Sequence, residues 1–421
     1  MKNYLLTLII IPFFGFAQPD IIPLNNPIEA ELHLFSDGDF YKGLYIYKIS
    51  YRNLVFEKEG DVFKAGFKIG IEVRDKLEGD IYRDYNRHTT VVEDFNQTAS
   101  ENAYLEGFLE FSIDSGSYNL ISVVNDIYSN REIKLKPIEI NTDSLANKIG
   151  APLVIKSETK ICDEDEFISI ANYSADFPFS SEKYSLLVPV FDKSVDSLFL
   201  EVRNNENILF TGWIGESLNL KFEKSPCSQS YGLKRNENTE GIKFFILKDI
   251  SIKLTEGFGS VRIKTDSLND VISEFNFKVR WINKPRSLLD TERSLEYLEL
   301  IESSPEVDKL HKVSKNKLPE ELNKFWKKYD PSPETSYNEL MSEFYKRIDY
   351  AQINFNALTN NNGAKSDRGK IYVKYGNPES IERFTDEYGR MMEIWVYSNP
   401  ASKFMFIDKK GNGNFTIITN L

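Results

Sequence analysis

Any chemistry in this chain would have to come from carboxylates. Its three histidines, His33, His88 and His311, stand in no metal-ligand or triad spacing, and Cys162 and Cys227 have neither a CxxC partner nor a nearby histidine. The densest acidic run is Asp163-Glu164-Asp165-Glu166. Two carboxylates alone can perform acid–base hydrolysis, but such pairs come from separate elements in unlike environments, so this run reads as a solvated loop. Asp367, Arg368 and Glu393 form a second candidate group, open to two readings, a hydrolytic site or a buried salt bridge. Asp408-Lys409-Lys410-Gly411-Asn412-Gly413-Asn414 has the outline of a calcium loop without the regular acidic ligands or the bidentate Glu, and reads as a hairpin turn. No metal and no cofactor are expected.

The elements that would position these groups cluster near the C-terminus. Between Gly363 and Pro378 nearly every residue constrains the backbone. Alternation predicts a strand over Lys370–Tyr375, with Asp367 capping amides where it starts and Arg368 pairing with Asp367 or an acidic helix face. Gly369 allows close backbone approach. Three apart in a strand, Tyr372 and Tyr375 face opposite sides, and Gly376-Asn377-Pro378 reverses the chain. Further strands are expected over Glu393–Tyr397, with Trp395 and Tyr397 on one face, over Lys403–Ile407, which carries Phe406, and over Asn414–Thr419. These positions read as core and turn, with an aromatic ligand surface as the alternative.

Upstream, the period is helical from Ser287 to about Leu358. Ser303-Ser304-Pro305-Glu306 stops one helix and starts the next, and Pro319 opens another. Ser336-Tyr337-Asn338-Glu339 reads as a capping box before Tyr337, Leu340, Met341, Phe344, Ile348, Ala351 and Phe355. Two segments with period-two patterning precede this, clearest where Phe63, Ala65, Phe67, Ile69, Ile71 and Val73 share a face. The fold class expected is therefore multidomain and mainly β. Two antiparallel, immunoglobulin-like β-sandwiches, residues 18–143 and 150–284, precede a helical segment and a small α+β domain over 287–421.

Composition agrees. The 421 residues suit about three domains, and 30 Phe with 22 Tyr favour strands. A formal charge of −12, without a basic stripe, excludes nucleic acid as the expected partner. Met1 to Ala17 has a basic start, a short apolar run and a small residue before Gln18, the pattern of a cleaved signal peptide. The mature protein is then expected in the periplasm, at the cell surface or secreted, not membrane-spanning. Export also favours a Cys162–Cys227 disulfide.

The ordered set Trp326, Asp330-Pro331, Asn338-Glu339, Arg347, Tyr350-Ala351, Phe355, Gly363, Asp367-Arg368-Gly369, Tyr372, Tyr375-Gly376-Asn377-Pro378, Trp395-Val396-Tyr397 and Phe404 to Asp408 resembles the GWxTD domain family. The resemblance covers about Ser287 to Leu421. The naming Trp is Ala364 here and the Thr is Ser366. The family implies no reaction, so no catalytic residue is carried over. The function expected is that of a non-catalytic envelope protein binding a protein partner. The alternatives are a carboxylate-dependent hydrolase and a glycan- or peptide-binding protein.

Overall fold

The computed structural model describes residues 28–37, 40–75, 79–100, 103–129, 131–142, 149–157, 167–171, 176–224, 231–236, 242–265, 273–300, 305–358, 361–398 and 400–420. The signal-peptide segment, Cys162, Cys227, the Asp163–Glu166 run and Ser303-Ser304 lie outside these residues. The protein is mainly β, with several antiparallel sheets, a helical segment and a C-terminal antiparallel sheet. It divides into two compact units, Met1–His33 with Asp39–Thr142, and Leu34–Gly38 with Asp143–Leu421.

In the first unit a three-stranded sheet (residues 28–33 of the strand Ile28–Asp37, then Phe40–Ser50 and Tyr104–Ile113) and a six-stranded sheet centred on Val62–Asp75 and Ser117–Asp126 form the layers. Ala65, Phe67, Ile69, Ile71 and Val73 are buried, as the alternation requires, and Phe63 is half-buried. Tyr45 donates a hydrogen bond across the core to Ser122 Oγ at 2.8 Å. His88 is buried with its Nε2 2.9 Å from the Tyr47 hydroxyl, a satisfied core position. Burial pushes the Tyr45 hydroxyl up to about 12, with the Ser122 hydrogen bond opposing.

The second unit begins with a sandwich of a six-stranded and a five-stranded sheet. Leu198, Leu200, Val202, Val261 and Ile263 of one sheet pack on Leu186, Val188, Val190 and Phe245 of the other. The hairpin Leu198–Asn204 to Asn207–Ile214 turns through Asn205 and Glu206, whose φ values of 47° and 72° are those of a type I′ turn. The two-residue strand Phe177–Pro178 runs parallel to Ser273–Arg280, a departure from the expected antiparallel pattern.

After this sandwich come helices Thr291–Leu298, Pro305–Leu310, Leu318–Lys327, Glu339–Asn354 and Asp367–Tyr375. A sheet in the order Ser380–Thr385, Met391–Ser398, Ala401–Asp408, Thr416–Asn420 completes the chain. Helices and sheet share one core that includes Trp326, Tyr345, Ile348, Trp395 and Phe406. The long helix is capped by Asn338, whose Oδ1 accepts from Met341 N at 2.8 Å, so the cap lies two residues beyond Ser336. Tyr345 takes a core place on that helix, while Leu340 is exposed.

The segment predicted as a strand over Lys370–Tyr375 is helical. Ile371, Val373 and Tyr375 do alternate, but the ends decide. Ser366 Oγ accepts from Gly369 N at 3.0 Å as the N-cap, Asp367 occupies the first turn, and Gly376 at φ 80° and ψ −153° ends the helix in a backbone conformation open essentially to glycine. Replacing the cap, Ser366→Ala, is expected to lower stability by about 1–2 kcal/mol, measured by urea unfolding. An unchanged midpoint would show that the cap contributes nothing.

Candidate functional site

The Gly363–Pro378 signature residues converge where the Asp367–Tyr375 helix crosses the C-terminal sheet. Backbone closeness comes first. A Cβ on Gly363 would lie 2.2 Å from Ala351 O, and one on Gly369 would lie 2.0 Å from Gly363 O, so both positions require glycine for close approach. Gly363 N donates to Asn356 Oδ1 at 3.0 Å, and Ser366 Oγ donates to Gly363 O at 2.6 Å. Ala364 is wholly enclosed in the core between them.

Asp367 does not cap a strand. Its Oδ2 accepts from Ile417 N at 2.9 Å and ties the first turn of the helix to the last strand. Arg368 pairs with neither Asp367 nor a helix face. Its Nη1 lies 3.4 Å from Glu393 Oε2, its Nη2 donates to Gly413 O at 3.2 Å, and its guanidinium covers the Phe415 ring at 4.1 Å. Burial pulls the Arg368 guanidinium below arginine's usual value, and Glu393 opposes that pull. Glu393, itself buried, also accepts from Trp395 Nε1 at 3.1 Å and from Arg383 Nε at 3.0 Å. Of the two readings open for Asp367, Arg368 and Glu393, the geometry is that of a buried ion pair. Asp367 and Glu393 hold separate partners.

In a helix, residues three apart lie on one side, and Tyr372 and Tyr375 both pack against other aromatic rings. Tyr372 stacks on Tyr350 with centroids 4.5 Å apart and planes at 18°, and Tyr375 packs on Tyr397 and Phe404. Trp395 and Tyr397 share the core face of their strand, with Phe406 5.1 Å from Trp395. Tyr397 donates to Gly376 O at 3.1 Å, and Pro378 is buried beyond it. Arg347 Nη1, 3.4 Å from the carbonyls of Val373 and Lys374, sits at the helix C-terminus, where the dipole favours a cation.

Asp408 accepts from the amides of Gly413 (2.7 Å), Lys410 (3.2 Å) and Asn412 (3.3 Å). Its carboxylate organises the hairpin rather than facing outward as a cation ligand would. Burial raises its pKa, but these amides outweigh burial and hold the carboxyl below the ordinary aspartate range. Among the described residues no group of three or more His, Cys, Asp or Glu is placed to hold a metal.

Sequence reasoning missed Arg383 and its strand, because Ser380–Thr385 mixes Ile381 and Phe384 with charges and is exposed at every position. It also missed a cleft of about 770 Å³ between the second sandwich and the helices, which Phe179, Trp281 and Trp326 help to line. Its residues are too far apart in sequence to form a motif.

A mainly β chain thus ends in a helix-on-sheet module whose signature residues hold its own layers together. Residues 270–417 match the family model of the GWxTD domain. No curated protein matches the sequence. Among solved structures, a purple acid phosphatase from yellow lupin (Lupinus luteus) seeds is 11% identical over 63% of this chain and 47% of that chain, with a TM-score of 0.18. This chain thus spans about half of the phosphatase's length. The C-terminal domain of a Streptococcus agalactiae AgI/II polypeptide is 8% identical over 60% of this chain and 99% of that chain, with a TM-score of 0.16. At these TM-scores neither likeness bears on function.

Two outcomes are expected. Arg368→Met or Glu393→Gln alone should cost about 3–5 kcal/mol by denaturant unfolding, and a double apolar replacement less than their sum, because each single change strands a buried charge. Additive losses would contradict the pairing. The depressed Asp408 carboxyl stabilises fully near neutral pH, and that contribution is lost as pH falls below about 4, through the folded-state value. Thermal midpoints from pH 7 to 3 should show Asp408→Asn less stable at neutral pH and converging on wild type in acid. A constant gap would sink this assignment.

Proposed function

We propose that this chain is a non-catalytic, exported envelope protein that binds another envelope protein through its C-terminal domain. The observation that carries this reading is the outer strand Ser380–Thr385. All six residues are exposed, it pairs on one side with Met391–Ser398, and it begins the sheet order, so its other edge is open among the described residues. An open edge offers backbone donors and acceptors to an added strand, and Ile381 and Phe384 supply apolar contacts on its two faces.

The signature residues support the same reading by exclusion. Trp395, Tyr397 and Phe406 are buried in the core, and half-buried Tyr372 and Tyr375 pack against it, which favours a structural role for them over a ligand surface. Glu393 is committed to Arg368, Arg383 and Trp395, which leaves a carboxylate-dependent hydrolase at this place without a free base. Among the described residues no helix is long and apolar enough to cross a membrane.

A photocrosslinking residue at Phe384, in the full chain expressed in its own cells, should capture one defined envelope protein. Ile381→Pro, which blocks strand addition, should abolish that adduct while leaving export and folding intact. An adduct that persists in Ile381→Pro, or no discrete adduct in wild type, would overturn the reading.

A further inference from the structure

The cleft between the second sandwich and the helices has the size and lining of a ligand site. Its volume of about 770 Å³ falls within the 300–1,000 Å³ of small-molecule sites, which favour domain junctions. One wall is aromatic. Trp281 packs edge-on against Phe179 at 5.4 Å and Tyr337 at 5.5 Å, and this packing fixes the half-buried indole in place. The junction is held by backbone as well, since Ser336 N donates to Ile252 O at 2.8 Å.

The charges of the lining select the ligand. Lys253, Lys284 and Lys327 stand against Glu256, Asp330 and Glu334, so the cleft carries no net charge. Lys284 is neutralised internally by Glu256 at 2.7 Å. Among the described residues Lys253, Asn323, Lys327 and Glu334 have no side-chain partner. An anion would need a surplus of cations here, and a purely apolar ligand would strand the polar groups. A peptide added as a strand would need an edge, but the adjoining strand Phe177–Pro178 is two residues long and ends in proline. What remains is a neutral molecule with an apolar face for an indole and many hydroxyls for amide, ammonium and carboxylate groups.

We propose that this cleft binds a neutral oligosaccharide, with Trp281 as the stacking platform and Asn323 as a hydrogen-bonding group. The full chain is titrated with maltotriose, cellotriose and triacetylchitotriose, read by tryptophan fluorescence and by saturation-transfer NMR on the sugar. Saturable binding of at least one is expected, lost in Trp281→Ala. It should weaken about tenfold in Asn323→Ala, the loss of one good hydrogen bond. Asn323 is exposed on its helix, so its variant should keep the wild-type thermal midpoint. No saturable binding of any of the three, binding unchanged in both variants, or a proline-rich peptide occupying the cleft in place of sugar would each overturn the proposal.

Discussion

The Glu393 carboxylate lies buried where the helix layer meets the sheet, and the C-terminal module is arranged around keeping it satisfied. Three donors reach it, from a helix (Arg368), from the neighbouring strand (Arg383) and from its own strand (Trp395). A buried carboxylate tolerates little rearrangement of its donors, so the crossing angle of the helix, the register of two strands and the indole rotamer become mutually dependent. Arg368 extends the dependence to the last hairpin through Gly413 O and Phe415. Asp408 folds that hairpin from the other side. The aromatic core supplies most of the apolar burial, while the polar network fixes which arrangement of that core is adopted.

The module is not free-standing on the sandwich before it. Asp349, on the long helix, accepts from Arg286 N and Ser287 N in the connection between them. The aromatic cluster of Phe179, Trp281 and Tyr337 spans the same joint. The open strand lies at one margin of the module's sheet, and the cleft lies at the joint.

Much of this was legible in the residues, and the failures have physical causes. Clean alternation, as in Phe67 to Val73, reads correctly because one face is buried along the whole strand. The Asp367–Tyr375 helix was misread because its apolar residues fit both periods. The deciding information lay in Ser366 and Gly376, two capping residues outside the apolar pattern. The partners of Arg368 could not be assigned from sequence, since Glu393 and Gly413 lie 25 and 45 residues away. Ser380–Thr385 escaped because an edge strand exposed on both faces has no hydrophobic period to reveal it.

The enclosure of Ala364 separates two roles that the family's name joins. With the large side chain absent, the turn is still closed by Gly363 and Gly369 against neighbouring backbone and by Ser366 above them. What the turn requires is a steric crossing of main chain on main chain, and it holds here with only a methyl group between. The two glycines therefore set how closely the strands of main chain cross, and the side chain at residue 364 only fills the space that crossing leaves.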